Sequence, residues 1–173
     1  NFSVARVGEE LAQNLIIKGF KVHHDKTYHD YPAYTGSYSR SLSTIKNITS
    51  TNSAQLIIDL HRDALGSNSG YAPSVQIGDE IAAQLMFVIG TNGGGLEHPN
   101  WIQNLKTAVK IQEQGNAMYQ GLFRPMIVRN SRYNQHLAPG ASIIEVGATG
   151  NTLEEAYFGA RCLANILNKF YNN

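Results

Sequence analysis

A short run of alternating polar residues after an apolar segment is the first place where this sequence could carry chemistry. Asp59, His61 and Asp63 follow Leu56–Ile58 at every second position. If a strand continues through them, the three side chains lie on one face, where His61 is suited to be a metal ligand or a base. The alternative is a strand end that meets water, with Arg62 and Asp63 as ordinary surface charges.

A single carboxylate in an apolar strand is the second candidate. Glu145 lies between Ile143-Ile144 and Val146-Gly147. An ionised carboxylate in such surroundings is costly unless it is paired, hydrogen-bonded or near a metal. A buried salt bridge to an arginine is the alternative, but the nearby glycines allow a substrate or a backbone segment to approach closely. We therefore favour a functional role for Glu145.

The loop before Glu145, residues 129–136, offers many hydrogen-bond donors and few carboxylates. This composition suits an anionic or amide-rich ligand, so Arg129, Gln135 and His136 are candidates for substrate contacts. A polar surface loop without function is the alternative. We expect His23, His24 and His29 to be structural or solvent-facing, whereas His98, which precedes Pro99, is typical of the entry to a helix.

The composition excludes several classes of protein. The chain has 173 residues, a net charge of +1 and 16% charged residues, so its charge gives no electrostatic footprint for nucleic acid and no basic tail is visible. Its one cysteine excludes an intramolecular disulfide and a cysteine-rich zinc module. No apolar run approaches the ~20 residues of a membrane span.

The hydrophobic pattern predicts alternating helices and strands. Helices are expected over 2–18, 39–49, 99–119 and 152–170, and strands over 20–24, 54–60, 83–90, 126–128 and 142–146. This alternation predicts one α/β domain, residues 1–173, with a mostly parallel or mixed sheet between helices on both faces. Because such a sheet usually opens with a strand and this chain begins with a helix, we expect a first strand upstream.

Several segments together resemble the stage II sporulation protein P family, which belongs to the zinc-dependent N-acetylmuramoyl-L-alanine amidases. The similarity runs through essentially the whole chain. It is carried mainly by Asp59-Leu60-His61-Arg62-Asp63-Ala64 and Ile143-Ile144-Glu145-Val146-Gly147. Supporting segments are His24-Asp25-Lys26-Thr27, His29-Asp30-Tyr31-Pro32, Tyr38-Ser39-Arg40-Ser41, Met86-Phe87-Val88-Ile89-Gly90-Thr91-Asn92, His98-Pro99-Asn100-Trp101 and Tyr133-Asn134-Gln135-His136-Leu137.

The resemblance implies a zinc ion held by two histidines and a glutamate, with a second glutamate as the catalytic residue. His61 matches the second histidine ligand and Glu145 matches the catalytic glutamate. The first histidine and the ligand glutamate have no match here, and we expect them upstream of residue 1. The substrate implied is peptidoglycan, cut at the amide between N-acetylmuramic acid and L-alanine, and endopeptidase activity is also allowed. Arg62 is a candidate for contact with Glu145 or a substrate carboxylate.

The resemblance also implies partners and a location. The partners are a lytic transglycosylase and a membrane protein of the sporulation engulfment machinery. The location is outside the cytoplasm, at the sporulation septum and the engulfing membrane, with anchoring through an upstream segment.

Two other functions remain open. The spacing of Asp59 and His61 is similar to a ligand pair of binuclear metallophosphoesterases, although the Gly-Asn-His pattern of those enzymes is absent. A cell-wall-binding module without catalytic turnover is the other alternative.

Overall fold

The computed structural model describes residues 4–51, 53–64 and 70–172. The helices in these ranges are α1 (Val4–Ile17), α2 (Ser37–Thr51), α3 (Trp101–Met118) and α4 (Leu153–Asn172). The strands are β1 (Ile57–Asp63), β2 (Ser74–Ile77), β3 (Glu80–Ala83), β4 (Leu85–Gly90), β5 (Ile127–Arg129) and β6 (Ala141–Ala148). A short 3-10 helix, Gln135–Leu137, precedes β6.

The main sheet has four strands in the order β1-β6-β4-β5. β1 runs parallel to β6, β4 runs antiparallel to β6, and β5 runs parallel to β4. The two inner strands are the most apolar segments of the chain, as expected for strands that are covered on both faces. The α/β class with a mixed sheet is therefore confirmed, while β2 and β3 form a separate antiparallel hairpin.

Helices α1, α3 and α4 enclose the larger core on one face of the sheet. Phe87 of β4 and Ile144 of β6 meet Leu163 of α4 in this core. Helix α4 contacts α1, α3 and β3 and so lies at the centre of the layer. A capping box starts this helix, since Thr152 N donates to Glu155 Oε2 and Glu155 N donates to Thr152 Oγ1.

The opposite face of the sheet carries a smaller apolar cluster. Met86, Val88 and Ile143 form it, and Tyr133 packs against it. Helix α2 reaches this side through Tyr38, whose ring lies 5.5 Å from the Tyr133 ring. The second face is therefore covered lightly, by loops and one end of a helix, and this is the face that carries Glu145.

Two expectations about the elements were wrong. Residues 20–24 form no strand. Individual side chains of this segment contact other elements instead: Phe20 lies edge-on to Tyr171 and His24 packs against Gly8. The β2–β3 hairpin lies between the strands expected over 54–60 and 83–90, where no element was predicted, while residues 65–69 lie outside the described residues.

Candidate functional site

His61 and Glu145 are brought together by the pairing of β1 with β6. The two residues are register partners across these parallel strands, so their side chains lie on the same face of the sheet. Met86 of β4 is the register partner of Glu145 on its other side. Glu145 therefore lies mid-sheet on the lightly covered face, flanked by an imidazole and a thioether.

His61 is held by a neighbouring carboxylate. Its Nε2 atom forms a hydrogen bond with Asp59 Oδ1 at 2.9 Å, and the two side chains are 37% and 43% exposed. Burial lowers the pKa of His61, but the hydrogen bond to Asp59 and the charges of Asp59, Glu145 and Asp30 outweigh it and raise the pKa. With Nε2 engaged, Nδ1 is the ring nitrogen left for another ligand.

Glu145 is half-buried and incompletely hydrogen-bonded. Its Oε2 atom is buried and has no hydrogen-bond partner among the described residues. Burial raises the pKa of Glu145 and the Asp63 and Asp59 charges add to this, whereas His61 and Arg124 oppose it. A carboxylate with a raised pKa and a free oxygen is suited to accept and release a proton.

Arg124 is the site residue that the sequence pattern did not indicate. It donates from Nη1 to Asp63 Oδ2 at 2.9 Å, with side-chain exposures of 10% and 17%. Arg124 follows the segment Leu122-Phe123 and lies far from Asp63 along the chain. No local signal could have paired them. Arg124, a residue outside every candidate set, is one of the charges that act on Glu145, and contact between Arg62 and Glu145 stays a prediction.

Two tyrosines form a wall over this face. Asn134 Nδ2 donates to the Tyr38 carbonyl and to Ser41 Oγ, both at 2.8 Å, and thereby ties α2 to the loop that carries Tyr133. Tyr133 has a φ of +53°, an uncommon conformation that is enriched at functional sites. Burial raises the pKa of Tyr38, and the charges of Asp59 and Glu145 add to the effect.

The predicted substrate-binding arginines lie at opposite edges of the sheet. Arg62 is in β1, where the register with β6 shifts between His61 and Asp63. Arg129 ends β5 and has an exposed side chain. Strands β6 and β4 lie between them, so the two residues cannot contact the same small group. Their roles in substrate binding stay predictions.

Gln135 and His136 are both in the 3-10 helix before β6. The Gln135 amide is used by β4, because its Oε1 accepts from Gly90 N at 2.8 Å and its Nε2 donates to Val88 O at 2.9 Å. Gln135 therefore holds the loop in place in this conformation. His136 is half-buried beside His98, with ring centroids 6.4 Å apart. Substrate contact by either residue stays a prediction.

The described residues fit one position of a zinc site. A histidine whose second ring nitrogen bonds a carboxylate is the usual arrangement of a metal ligand, and His61 with Asp59 has it. The described ranges contain no group of three or more histidine, cysteine, aspartate or glutamate side chains that could hold a metal ion. A binuclear site, which needs several such groups, gains no support from them.

The comparisons with known proteins give a match to a protein family. The family model for stage II sporulation protein P matches residues 1–168. No curated protein and no experimentally solved structure matches the chain. No helix of the described residues has the length and apolar character needed to cross a membrane. Because the family match spans nearly the whole sequence, the chain belongs to the stage II sporulation protein P family and is a sporulation protein.

Proposed function

We propose that this chain is the catalytic part of a peptidoglycan amidase that hydrolyses the bond between N-acetylmuramic acid and L-alanine during sporulation. The observation that supports it is the buried, unpartnered Glu145 Oε2 beside His61 on the more lightly covered face of the sheet. A purely structural glutamate in such surroundings is normally neutralised by an ion pair or hydrogen bonds.

We infer that the enzyme uses zinc, with His61 as one ligand through Nδ1. The remaining ligands are proposed to come from residues that precede Asn1, because a tetrahedral site needs three protein ligands besides the position kept for water. When bound, zinc supplies a polarised carbonyl and a water of lowered pKa, about 7. Asp59 holds the imidazole ring in the orientation that leaves Nδ1 free.

In this proposal Glu145 acts as the general base and then as the general acid. Its carboxylate takes a proton from the attacking water while the water oxygen bonds to the amide carbon. It then gives that proton to the amide nitrogen as the carbon–nitrogen bond breaks, so that the peptide leaves as a neutral amine. The raised pKa of Glu145 favours this exchange because a carboxylate works best when its pKa is close to the working pH.

The rest of the face would position the wall polymer. Tyr38 and Tyr133 form one wall beside Glu145, and Arg62, Arg129, Gln135 and His136 are proposed contacts for glycan or peptide. We further propose that the protein acts outside the cytoplasm at the sporulation septum and engulfing membrane, anchored by an upstream segment. Its proposed partners are a lytic transglycosylase and a membrane protein of the engulfment machinery.

The full-length Glu145→Gln variant tests the catalytic role. The amide keeps the shape of the side chain and removes the base, so we expect muropeptide hydrolysis to fall by about 10²–10⁴-fold. Glu154→Gln on the exposed start of α4 is the matched control and keeps wild-type activity. Activity of Glu145→Gln within tenfold of wild type, with the protein folded, would refute the assignment.

The zinc content of the full-length His61→Ala variant tests the ligand role. We expect atomic emission to show loss of zinc, because each protein ligand of a tetrahedral site is needed for tight binding. The exposed His23 provides the control, since His23→Ala keeps the wild-type zinc content. An unchanged zinc-to-protein ratio in His61→Ala would eliminate His61 as a ligand.

A cell-wall-binding module without turnover is the second candidate. It is favoured by one observation, that the described residues offer no complete set of metal ligands. The two functions separate in one assay of the full-length protein with purified peptidoglycan sacculi. Binding with release of new amine groups supports the amidase, and binding without release supports the module.

A further inference from the structure

A second cluster of polar side chains lies at the other end of β4. His98, Arg132 and His136 form it, and four of their nitrogen atoms are buried without a hydrogen-bond partner in the described part of the chain. These atoms are His98 Nδ1, His98 Nε2, Arg132 Nε and His136 Nδ1. Buried polar groups are almost always paired with protein, water or a ligand, so these four nitrogens are available to a bound group.

His98 is the innermost member. It is 3% exposed, and its ring lies edge-on to His136 with centroids 6.4 Å apart. Arg132 and His136 are half-buried, so they are the more exposed members of the cluster.

The charges around the cluster favour an anion. Arg132 acts electrostatically on both histidines. Lys46 acts on His136, and His136 acts on His98. Burial, together with these positive neighbours, lowers the pKa of both imidazoles. The rings are then neutral near pH 7 and each offers one N–H donor, while the nearby guanidinium and ammonium groups repel a metal cation.

The start of α3 adds to the same field. This helix of 18 residues begins at Trp101, directly after the segment that carries His98. The side chain of its N-cap residue, Asn100, makes no capping bond and donates instead to the His136 carbonyl at 3.0 Å. With no acidic residue in its first turn, the positive end of the helix dipole is left uncompensated beside the cluster.

The cluster is held in place before any ligand binds. Gln135 is fixed to β4 by its amide group, and Asn104 of α3 donates to the Gln135 carbonyl at 2.9 Å. Arg132 Nη1 donates to the Glu97 carbonyl at 3.1 Å, which leaves Nε for another partner. Donors fixed in this way lose little freedom on binding, and such preorganisation favours affinity.

We propose that His98, Arg132 and His136 form a binding site for an oxyanion, a carboxylate or a phosphate group. The site shares His136 with the proposed wall contacts, but it uses neither His61 nor Glu145, so it can form whether or not the protein hydrolyses peptidoglycan. A carboxylate ligand points to the peptide part of the wall polymer, whereas a phosphate ligand points to a phosphorylated polymer or metabolite.

The test is a titration of the full-length protein followed by the imidazole NMR signals of its histidines. Sodium acetate and inorganic phosphate are the two probes, acetamide is the neutral control, and ionic strength and pH are held constant. We expect the His98 and His136 signals to shift saturably with one or both anions and the exposed His23 signal to stay unchanged. Saturation by acetate alone identifies a carboxylate site, and saturation by phosphate alone identifies a phosphate site.

Two variants complete the experiment. Arg132→Gln removes the charge, and we expect it to weaken binding of the responding anion by about 10- to 100-fold, as loss of a charged hydrogen bond does. Lys110→Gln on the exposed face of α3 is the control and binds like wild type. If Arg132→Gln does not fold, His136→Gln replaces it. The absence of a saturable shift, an equal shift with acetamide, or wild-type affinity in the folded variant would overturn the proposal.

Discussion

Asp59 and His61 show how one side chain sets the chemistry of its neighbour. The two residues are two positions apart on β1, so they lie on one face and their side chains meet at 2.9 Å. The carboxylate fixes which ring nitrogen is engaged, and it helps raise the pKa of the imidazole. A metal must displace any proton from the ring, so the zinc binding that we propose for this histidine is expected to depend on pH.

Replacing Asp59 tests this arrangement. In the full-length protein we expect Asp59→Asn to lower zinc affinity by about 10- to 100-fold, the usual effect of losing a carboxylate that supports a histidine ligand. Competition with a coloured chelator measures the affinity. Asp79→Asn in the exposed β2–β3 turn is the control. Equal affinities for the two variants would show that Asp59 does not support a metal ligand.

The parts of the site that could be predicted from sequence are those that depend on local periodicity. The alternation of Asp59 with His61 and the apolar surroundings of Glu145 can be read directly from the sequence. His61 and Glu145 lie on strands, as the sequence predicts. Arg124 is different, because its pairing with Asp63 joins segments that are distant in sequence. Likewise, the sequence shows His98 only as a residue before a helix. Its position beside His136 depends on the tertiary fold.

The contact between β4 and the loop before the 3-10 helix is closer than ordinary packing. A Cβ at Gly90 would lie 2.3 Å from the Ser131 carbonyl oxygen and 3.0 Å from Tyr133 Cδ2. Only glycine lets the loop cross the strand here, and the loop then lays the Tyr133 ring on the apolar cluster beside Glu145. The position of the tyrosine wall thus depends on one residue without a side chain.

Gly90→Ala is expected to lower the free energy of unfolding by about 1–3 kcal/mol, the usual cost of overpacking. We also expect it to reduce muropeptide hydrolysis, because the backbone that carries Tyr133 must shift. Gly78→Ala is the matched control, since its strain comes from a φ of +62° in the β2–β3 turn with nothing within 4 Å of its new Cβ. Equal hydrolysis by the two variants, both folded, would contradict the role of Gly90.

A histidine makes the attachment of α1 sensitive to acid. His24 packs against Gly8 of that helix, and burial and Lys26 lower its pKa, while Glu9 and Asp25 act in the opposite direction. Because the unfolded chain takes up this proton at a higher pH than the folded chain does, the contribution of neutral His24 to stability is complete above the ordinary pKa of about 6.5. It declines as the pH falls towards the lowered value.

Urea denaturation at a series of pH values tests this. We expect the free energy of unfolding of wild type to fall more steeply between about pH 6.5 and pH 5 than that of His24→Gln, which cannot take up the proton. Lys21→Gln, an exposed neighbour, is expected to keep the wild-type slope. Parallel curves for wild type and His24→Gln would remove His24 as the source of the acid sensitivity.

The elements themselves were predictable where a long periodic pattern defines them. Helices α1, α3 and α4 lie within a few residues of their expected bounds because each buries a continuous apolar stripe. The segment 20–24 has a strand-like composition but pairs with no strand. Its composition alone therefore led to a wrong prediction. The antiparallel direction of β4 beside β6 also has no local signal, because strand direction depends on the path of the connections.

At the scale of the whole molecule, the two faces of the sheet differ in how they are packed. Three helices bury one face in the main core, whereas the opposite face of the described chain carries the smaller apolar cluster, against which Tyr133 packs with Tyr38 beside it. Most of the apolar core therefore lies on one side of the sheet, and the proposed site lies on the other.

Zinc is expected to stabilise the full-length protein as a whole. A ligand that binds only the folded state stabilises it by about 2.7 kcal/mol at a hundredfold excess over its Kd. We expect a higher Tm with zinc, a return to the lower value with EDTA, and no response in His61→Ala. The 173-residue chain alone, with one proposed ligand, is expected to respond less. An equal shift of Tm in this chain and in the full-length protein would mean that the proposed upstream ligands are not needed.

The parallel pairing of β1 with β6 has a consequence for folding kinetics. His61 and Glu145 meet only when the two strands at opposite ends of a long intervening segment come into register. Loop closure of this kind carries an entropic cost that grows with length, and chains dominated by distant contacts fold slowly. Local units such as the β2–β3 hairpin can form much earlier. The proposed hydrolytic activity is therefore expected to appear in the slowest folding phase, together with the closure of the sheet.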